Sequence, residues 1–201
     1  MKNENQPVVA ITGGIGSGKS YVCHIFSSKG IMVYDCDSAA KRLMHNSEDL
    51  KHRLTTLIGP DTYINGNLNK AAVADYMMQS ENNIKAVNGI VHPAVAEDFL
   101  MSEYTWMESA ILYDCGFDRY ADIVIAVVAP IETRILRIMH RDGISREKAL
   151  EWIARQMPQD EVARRADHVI TNDGTEDLDI QIDKILTQIR KTKNKTCYRQ
   201  Y

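Results

Sequence analysis

The run Ile11-Thr12-Gly13-Gly14-Ile15-Gly16-Ser17-Gly18-Lys19-Ser20 constrains this chain more than any other stretch. It follows Val8-Val9-Ala10-Ile11, which reads as a buried strand, and it leads into Tyr21-Val22-Cys23-His24-Ile25-Phe26, apolar at helical spacing. From Gly13 to Ser20 it satisfies G-x-x-x-x-G-K-[ST] in full, in the strand-to-helix setting that gives the pattern meaning. Glycines let the backbone take positive φ and approach phosphate oxygens closely, so successive N–H groups point into one concavity. The helix that follows adds its own free N–H groups and the positive end of its dipole. Lys19 is then placed to reach β- and γ-phosphates, and the Ser20 hydroxyl to ligate a Mg²⁺ that bridges them. A simple tight turn is the bland alternative, but the strand, the spacing and the helix together favour phosphate binding.

Lys29-Gly30 closes the first helix, and a second strand is expected over Ile31-Met32-Val33-Tyr34, ending in Asp35-Cys36-Asp37. Strand, loop, helix and strand in that order make a βαβ unit, so the sheet should be parallel and the fold α/β. Polar groups at the carboxyl ends of such strands line the ligand crevice, which makes Asp35 and Asp37 candidates for chemistry. Asp37 also suits a helix N-cap before Ser38-Ala39-Ala40, and the two roles are compatible.

Between residues 38 and 103 the strand pattern gives way to helical spacing, broken by Gly59-Pro60. Asn65-Gly66 between Tyr63-Ile64 and Leu68 allows a small hairpin, and helices resume at Lys70 and at Ile84, with His92-Pro93 marking an interruption or a new start. Strand-like composition returns at Tyr104 to Glu108 and at Ile111 to Asp114. Either acid, Glu108 or Asp114, could orient a metal's water shell, and spacing alone does not choose between them. Asp122 to Val128 is the clearest buried strand, and the next helix carries Arg134, Arg137, His140 and Arg141 before Asp142-Gly143. Ser145 can cap the helix from Arg146 to Gln156. This arginine-bearing hairpin reads equally as a solvated basic face or as a lid that closes on a nucleotide. A last strand, Ala166 to Thr171, precedes Asn172-Asp173-Gly174 and a closing helix.

With 201 residues, 44% hydrophobic and 25% charged, the chain has the composition of an ordinary globular protein. A net charge of −3 does not suit a general nucleic-acid binder, and the basic run Arg190 to Lys195 reads as a solvated helix end. Four cysteines without a CxxC pair, and six histidines without zinc spacing, suggest reduced thiols and a cytoplasmic setting. The polar segment Met1 to Gln6 does not resemble a signal peptide, and no apolar run approaches membrane-spanning length. No guanine-reading Asn-Lys-x-Asp is present, and a small domain with a helical insertion and a basic helical hairpin fits a kinase of a small metabolite.

Several of these stretches together resemble the dephospho-coenzyme A kinase family. They are the loop through Ser20, Asp35-Cys36-Asp37, Val91-His92-Pro93, Ile111-Leu112-Tyr113-Asp114-Cys115-Gly116-Phe117, Arg141-Asp142-Gly143-Ile144-Ser145 and Ala166 to Gly174, in order over nearly the whole chain. The resemblance implies a P-loop NTPase fold, with a five-stranded, mostly parallel sheet covered by helices on both faces. A core of about residues 1–37, 104–130 and 159–201 would carry a helical substrate-binding insertion of about 38–103 and a lid of about 131–158. It implies ATP-dependent phosphorylation of the ribose 3′-hydroxyl of dephospho-coenzyme A, with Mg²⁺ and without nucleic-acid or membrane partners, by a monomer or weak homo-oligomer.

The resemblance would also make Lys19, Asp37 and Arg141 catalytic. Gly14, Gly16, Ser17, Gly18, Lys19, Ser20, Tyr21, Arg141 and Asn172 would bind ATP, with Asn172 near the adenine. Asp35, Asp37, Lys41 or Arg42, and His92 would meet the acceptor. Three positions depart from the family pattern: Tyr21 replaces the usual Thr, Asp114 a common Glu, and Ser109-Ala110 a more usual Pro-containing pair. A nucleoside or nucleotide kinase, and a catalytically idle nucleotide-binding protein, are the rival readings.

Overall fold

The computed structural model describes residues 6–197, with side chains through residue 191. Met1 to Asn5, the Cys197 side chain and most side chains of the basic run ending at Lys195 therefore lie outside the described residues. The chain forms two compact units, one of residues 6–34 with 104–197 and one of residues 35–103.

The first unit begins with β1 (Val9–Thr12), the phosphate-type loop and α1 (Lys19–Ser28). Gly30, at φ 82°, ends α1 as the left-handed residue of a Schellman turn, with Gly30 N–H bonded to Ser27 O and Ile31 N–H to Phe26 O. That turn folds Ile31 back toward the cluster that holds Phe26, so β2 starts later than expected, at Val33–Asp35.

The second unit follows with α2 (Cys36–Asn46), α3 (Glu48–Ile58), the two-residue strands β3 (Tyr63–Ile64) and β4 (Asn67–Leu68), α4 (Lys70–Met78) and α5 (Glu81–Met101). Side-chain caps open its helices: Asp35 for α2, Ser47 for α3, Asn69 for α4 and Ser80 for α5. The hairpin expected at Asn65-Gly66 is present, and both turn residues have positive φ, as a type I′ turn demands. Pro93 lies inside α5 without ending it, contrary to the expected interruption. The helix loses one backbone bond there, while Val87, Val91, Val95, Ala96 and Phe99 are all buried and hold it in place.

The chain then re-enters the first unit through β5 (Trp106–Glu108), β6 (Ile123–Val128), α6 (Ile131–Asp142), α7 (Arg146–Ala154), α8 (Gln159–Arg165), β7 (His168–Thr171) and α9 (Leu178–Cys197). The sheet runs β2-β5-β1-β6-β7, and β1 pairs in parallel with both β5 and β6, as β6 does with β7. Alternation sorts its side chains: Val9, Ile11, Ile125, Val127 and Ile170 join Val22 and Phe26 of α1 and Ile182 and Ile185 of α9 in one core. Each such side chain, fully withdrawn from water, contributes about 1.5–3 kcal/mol.

Ile111 to Asp114 is not a strand. Its position beside β5 is already taken by β2 and β1, and the segment turns, with Cys115 N–H bonded to Ile111 O and Phe117 N–H to Leu112 O. Leu112 is fully buried from that turn, which accounts for the apolar composition.

Candidate active site

The loop from Gly13 to Gly18 leaves the carboxyl end of the central strand β1, and its shape depends on two glycines. Gly16 has φ 79° and a Cβ there would lie 2.6 Å from the Arg134 carbonyl oxygen, while Gly18 has φ 84° and a Cβ there would collide with the Asn172 amide nitrogen. Gly18 is also the N-cap of α1, which has neither a side-chain cap nor an acid in its first turn. Among the described residues the N–H groups of Gly16, Gly18, Lys19 and Ser20 have no protein acceptor. A cradle of donors at an uncapped helix N-terminus fits an anionic phosphate chain.

The loop's carbonyls are held by side chains from distant parts of the chain. Asn172, buried at the end of β7, donates from Nδ2 to Ser17 O at 2.9 Å, and its Oδ1 accepts from Arg137 at 3.2 Å. Arg137 also donates to Ser17 O at 3.2 Å and Gly16 O at 3.4 Å. Arg134 Nε donates to Ile15 O at 2.9 Å, and Gln156 Oε1 accepts from Ile15 N–H at 2.7 Å. With its carbonyls bound to these side chains, the loop turns its remaining N–H groups toward the concavity. Arg134 is only 4% exposed, and burial lowers its pKa, though a guanidinium stays charged at any physiological pH.

Lys19 forms an ion pair with Glu108, both side chains being nearly withdrawn from solvent at 11% and 12% exposure. Register explains the meeting, because Glu108 pairs with Ile11 across the β1–β5 ladder. Of the two acids left open by spacing, Glu108 is thus the one joined to the loop lysine. Asp114 is exposed, and with Thr12, Gly14, Tyr113, Gln156 and Met157 it lines a small cavity beside the loop. Ser20 and Tyr21 are exposed on the first turn of α1, and Tyr21 does not disturb that turn, since its N–H bonds to Gly18 O at 3.1 Å. The Ser17 hydroxyl is buried with no hydrogen-bond partner, facing the space beside Gly13.

Arg141 does not meet the loop. It lies 61% exposed on the last turn of α6 and pairs with Asp142 at 2.8 Å, whereas Arg137 and Arg134, one and two turns earlier, make the loop contacts. Those two arginines and Gln156 were visible in the sequence only as parts of a basic hairpin; the i, i+3 spacing of Arg134 and Arg137 was the signal that could have grouped them.

In the second unit, Asp35 rather than Asp37 caps α2, accepting from Ser38 N–H at 2.9 Å and Ser38 Oγ at 2.6 Å. Asp37 is exposed in the first turn, with no hydrogen bond or ion pair among the described residues, and Lys41 follows one turn later on the same face. Arg42 is engaged by Asp98 of α5 at 2.7 and 3.4 Å. His92 is half-buried on α5, and desolvation lowers its pKa.

The family model for dephospho-CoA kinase matches residues 7–177. A dephospho-CoA kinase of Porphyromonas gingivalis is 40% identical over 189 residues, covering 90% of this chain and 94% of that protein. One from Bacteroides fragilis is 37% identical over 185 residues, covering 89% and 90%. A crystal structure from Thermus thermophilus superimposes with a TM-score of 0.77 at 33% identity, over 91% of this chain and 98% of that one. The sheet order, the loop and these likenesses agree: the chain has a P-loop NTPase fold and belongs to the dephospho-CoA kinase family.

Proposed function

We propose that the cradle at Gly13 to Ser20 holds the phosphates of ATP while a ribose 3′-hydroxyl attacks the γ-phosphoryl. The reaction is that of a dephospho-CoA kinase, which yields coenzyme A and ADP. The observation that carries this reading is the set of acceptor-free N–H groups at an uncapped helix, next to the Lys19–Glu108 ion pair. That pair keeps the lysine charge at the loop until a phosphate chain offers a stronger set of oxygens.

Ser20 and one carboxylate, Glu108 or Asp114, together with substrate oxygens suit Mg²⁺, which takes few protein ligands and keeps several waters. Such an ion would neutralise charge on the β- and γ-oxygens. Asp37, exposed and unpaired among the described residues, is the group we assign to receiving or aiming the hydroxyl proton, with Lys41 on the same face of α2 for substrate phosphates. Residues 38–103 serve the acceptor in this reading, and residues 131–158 act as lid, Arg141 reaching the phosphates only after leaving Asp142. Asn172 would bring the nucleotide's base side against the loop that it braces. Among the described residues no helix is long and apolar enough to cross a membrane. Cys23, Cys36 and Cys115 are thiols rather than disulfides, which suits the cytoplasm, and a monomer or weak homo-oligomer is the state we assign.

Mass spectrometry of purified protein with ATP, Mg²⁺ and dephospho-coenzyme A should show coenzyme A and ADP in equal amounts. Asp37→Asn should lower kcat by on the order of 10²-fold, the scale of a positioned base. Preference for AMP, CMP or a nucleoside as acceptor would overturn the substrate, and near-normal turnover of Asp37→Asn would remove its role.

A further inference from the structure

Among the described residues Arg134 is a buried cation without an anionic partner. Nε is engaged by the Ile15 carbonyl, and among the described residues no carboxylate and no other acceptor meets the two terminal amino groups. Buried charges are ordinarily paired, because an unpaired one forfeits its hydration without compensation. Among the described residues the fully buried side-chain atoms lacking hydrogen bonds are Ser17 Oγ and Tyr113 Oη; the Arg134 amino groups are not among them, so they keep the residue's small exposed area. They lie against Gly14, where a Cβ would stand 2.5 Å from Nη2 and 3.2 Å from Gln156 Oε1. Gly14 thus lets a guanidinium sit against the loop backbone. Gly14 and Gln156 also line the small cavity that holds Asp114, one of the two carboxylates that suit Mg²⁺, which places them beside the end of the loop where a metal and the γ-phosphoryl would meet.

We propose that Arg134 is a catalytic residue of the transfer, its terminal amino groups binding the γ-phosphoryl oxygens beside Gly14. The inference rests on the loop being the ATP site. As the bond from the 3′-oxygen to Pγ forms and the bond from Pγ to the β-bridging oxygen breaks, negative charge moves onto the departing ADP. The hydroxyl proton passes to Asp37, and Arg134 remains a guanidinium throughout, contributing a fixed charge. Its orientation is set beforehand by the Nε bond to Ile15, so little reorganisation accompanies the reaction.

The test measures kcat, the Kd of ADP with and without aluminium fluoride in the presence of dephospho-coenzyme A, and Tm, for wild type, Arg134→Gln and Arg134→Lys. For the Gln variant, kcat and affinity for the ADP–fluoroaluminate complex should both fall, by on the order of 10³-fold for kcat. Its Kd for ADP alone should rise far less than its Kd for the fluoroaluminate complex, staying within about tenfold, and Tm should fall only modestly, since the Nε bond to Ile15 is lost along with the charge. Arg134→Lys keeps a charge and should recover part of the lost rate; should the Gln variant not fold, the Lys variant carries the same comparison. A kcat within about threefold of wild type would overturn the proposal. So would equal losses of affinity for ADP and for its fluoroaluminate complex, which would leave Arg134 with the bracing of Ile15 alone. Failure of wild type to bind ADP would overturn the loop reading itself, and this inference with it.

Discussion

Burial acts on His92 in a way that pH can read. Desolvation holds its imidazole below the ordinary 6.5, so the folded chain keeps it neutral while the unfolded chain protonates it first. A depressed folded value means that its contribution to stability is complete above pH 6.5 and is lost as pH falls through the folded pKa. His92→Gln should therefore flatten the decline of Tm between about pH 7.5 and 5, measured in parallel thermal melts with wild type. An unchanged slope would show that His92 is accessible to protons in the folded state. The same residue illustrates what single positions reveal in a sequence. His92-Pro93 stood out as a motif, but neither its burial nor the continuity of α5 through Pro93 could be read without knowing which neighbours shield it.

At the scale of elements, the junction of loop and α1 is the least tolerant part of the first unit. Gly18→Ala would place a methyl group in the Asn172 amide and strain a residue at φ 84°, with Arg137 Nη1 at 3.3 Å closing the remaining space. The variant should lose ATP binding at least as severely as Lys19→Ala loses it, and should melt lower by the several degrees that a 1–2 kcal/mol loss produces in a domain of this size. Isothermal titration and a thermal melt check both. The order of elements was largely legible, because βαβ periodicity and capping residues act over a few neighbours: Ser145 caps α7 as its position suggested, and Asn65-Gly66 turns a hairpin. Where tertiary pairing intervened, local patterns misled. Ile111 to Asp114 has strand-like residues but follows β5, whose two flanks are already paired with β2 and β1, and Asp35 takes the capping role that Asp37 also suited.

For the whole molecule, nucleotide binding should couple to stability by mass action. ATP with Mg²⁺ at 100 times its Kd should stabilise wild type by about 2.7 kcal/mol, visible as a rise in Tm, and Lys19→Ala should abolish most of that rise together with turnover. A Tm that ignores ATP would contradict the loop as its site. The sequence by itself determined the strand, loop and helix around Gly13 to Ser20 and the α/β class, since these follow from spacing within short stretches whose residue types admit few conformations, and its motifs in order carried the resemblance to the family. Only the tertiary structure decided which distant groups reach that loop. Glu108 meets Lys19 through β1–β5 register, and Asn172, Arg137, Arg134 and Gln156 reach the loop from beyond the central strands. Arg141, the arginine that a motif singled out, stands apart from it. The reason is physical: backbone dihedrals and caps are set by neighbours in the chain, whereas a side chain separated by more than a hundred residues is placed by sheet order and helix packing.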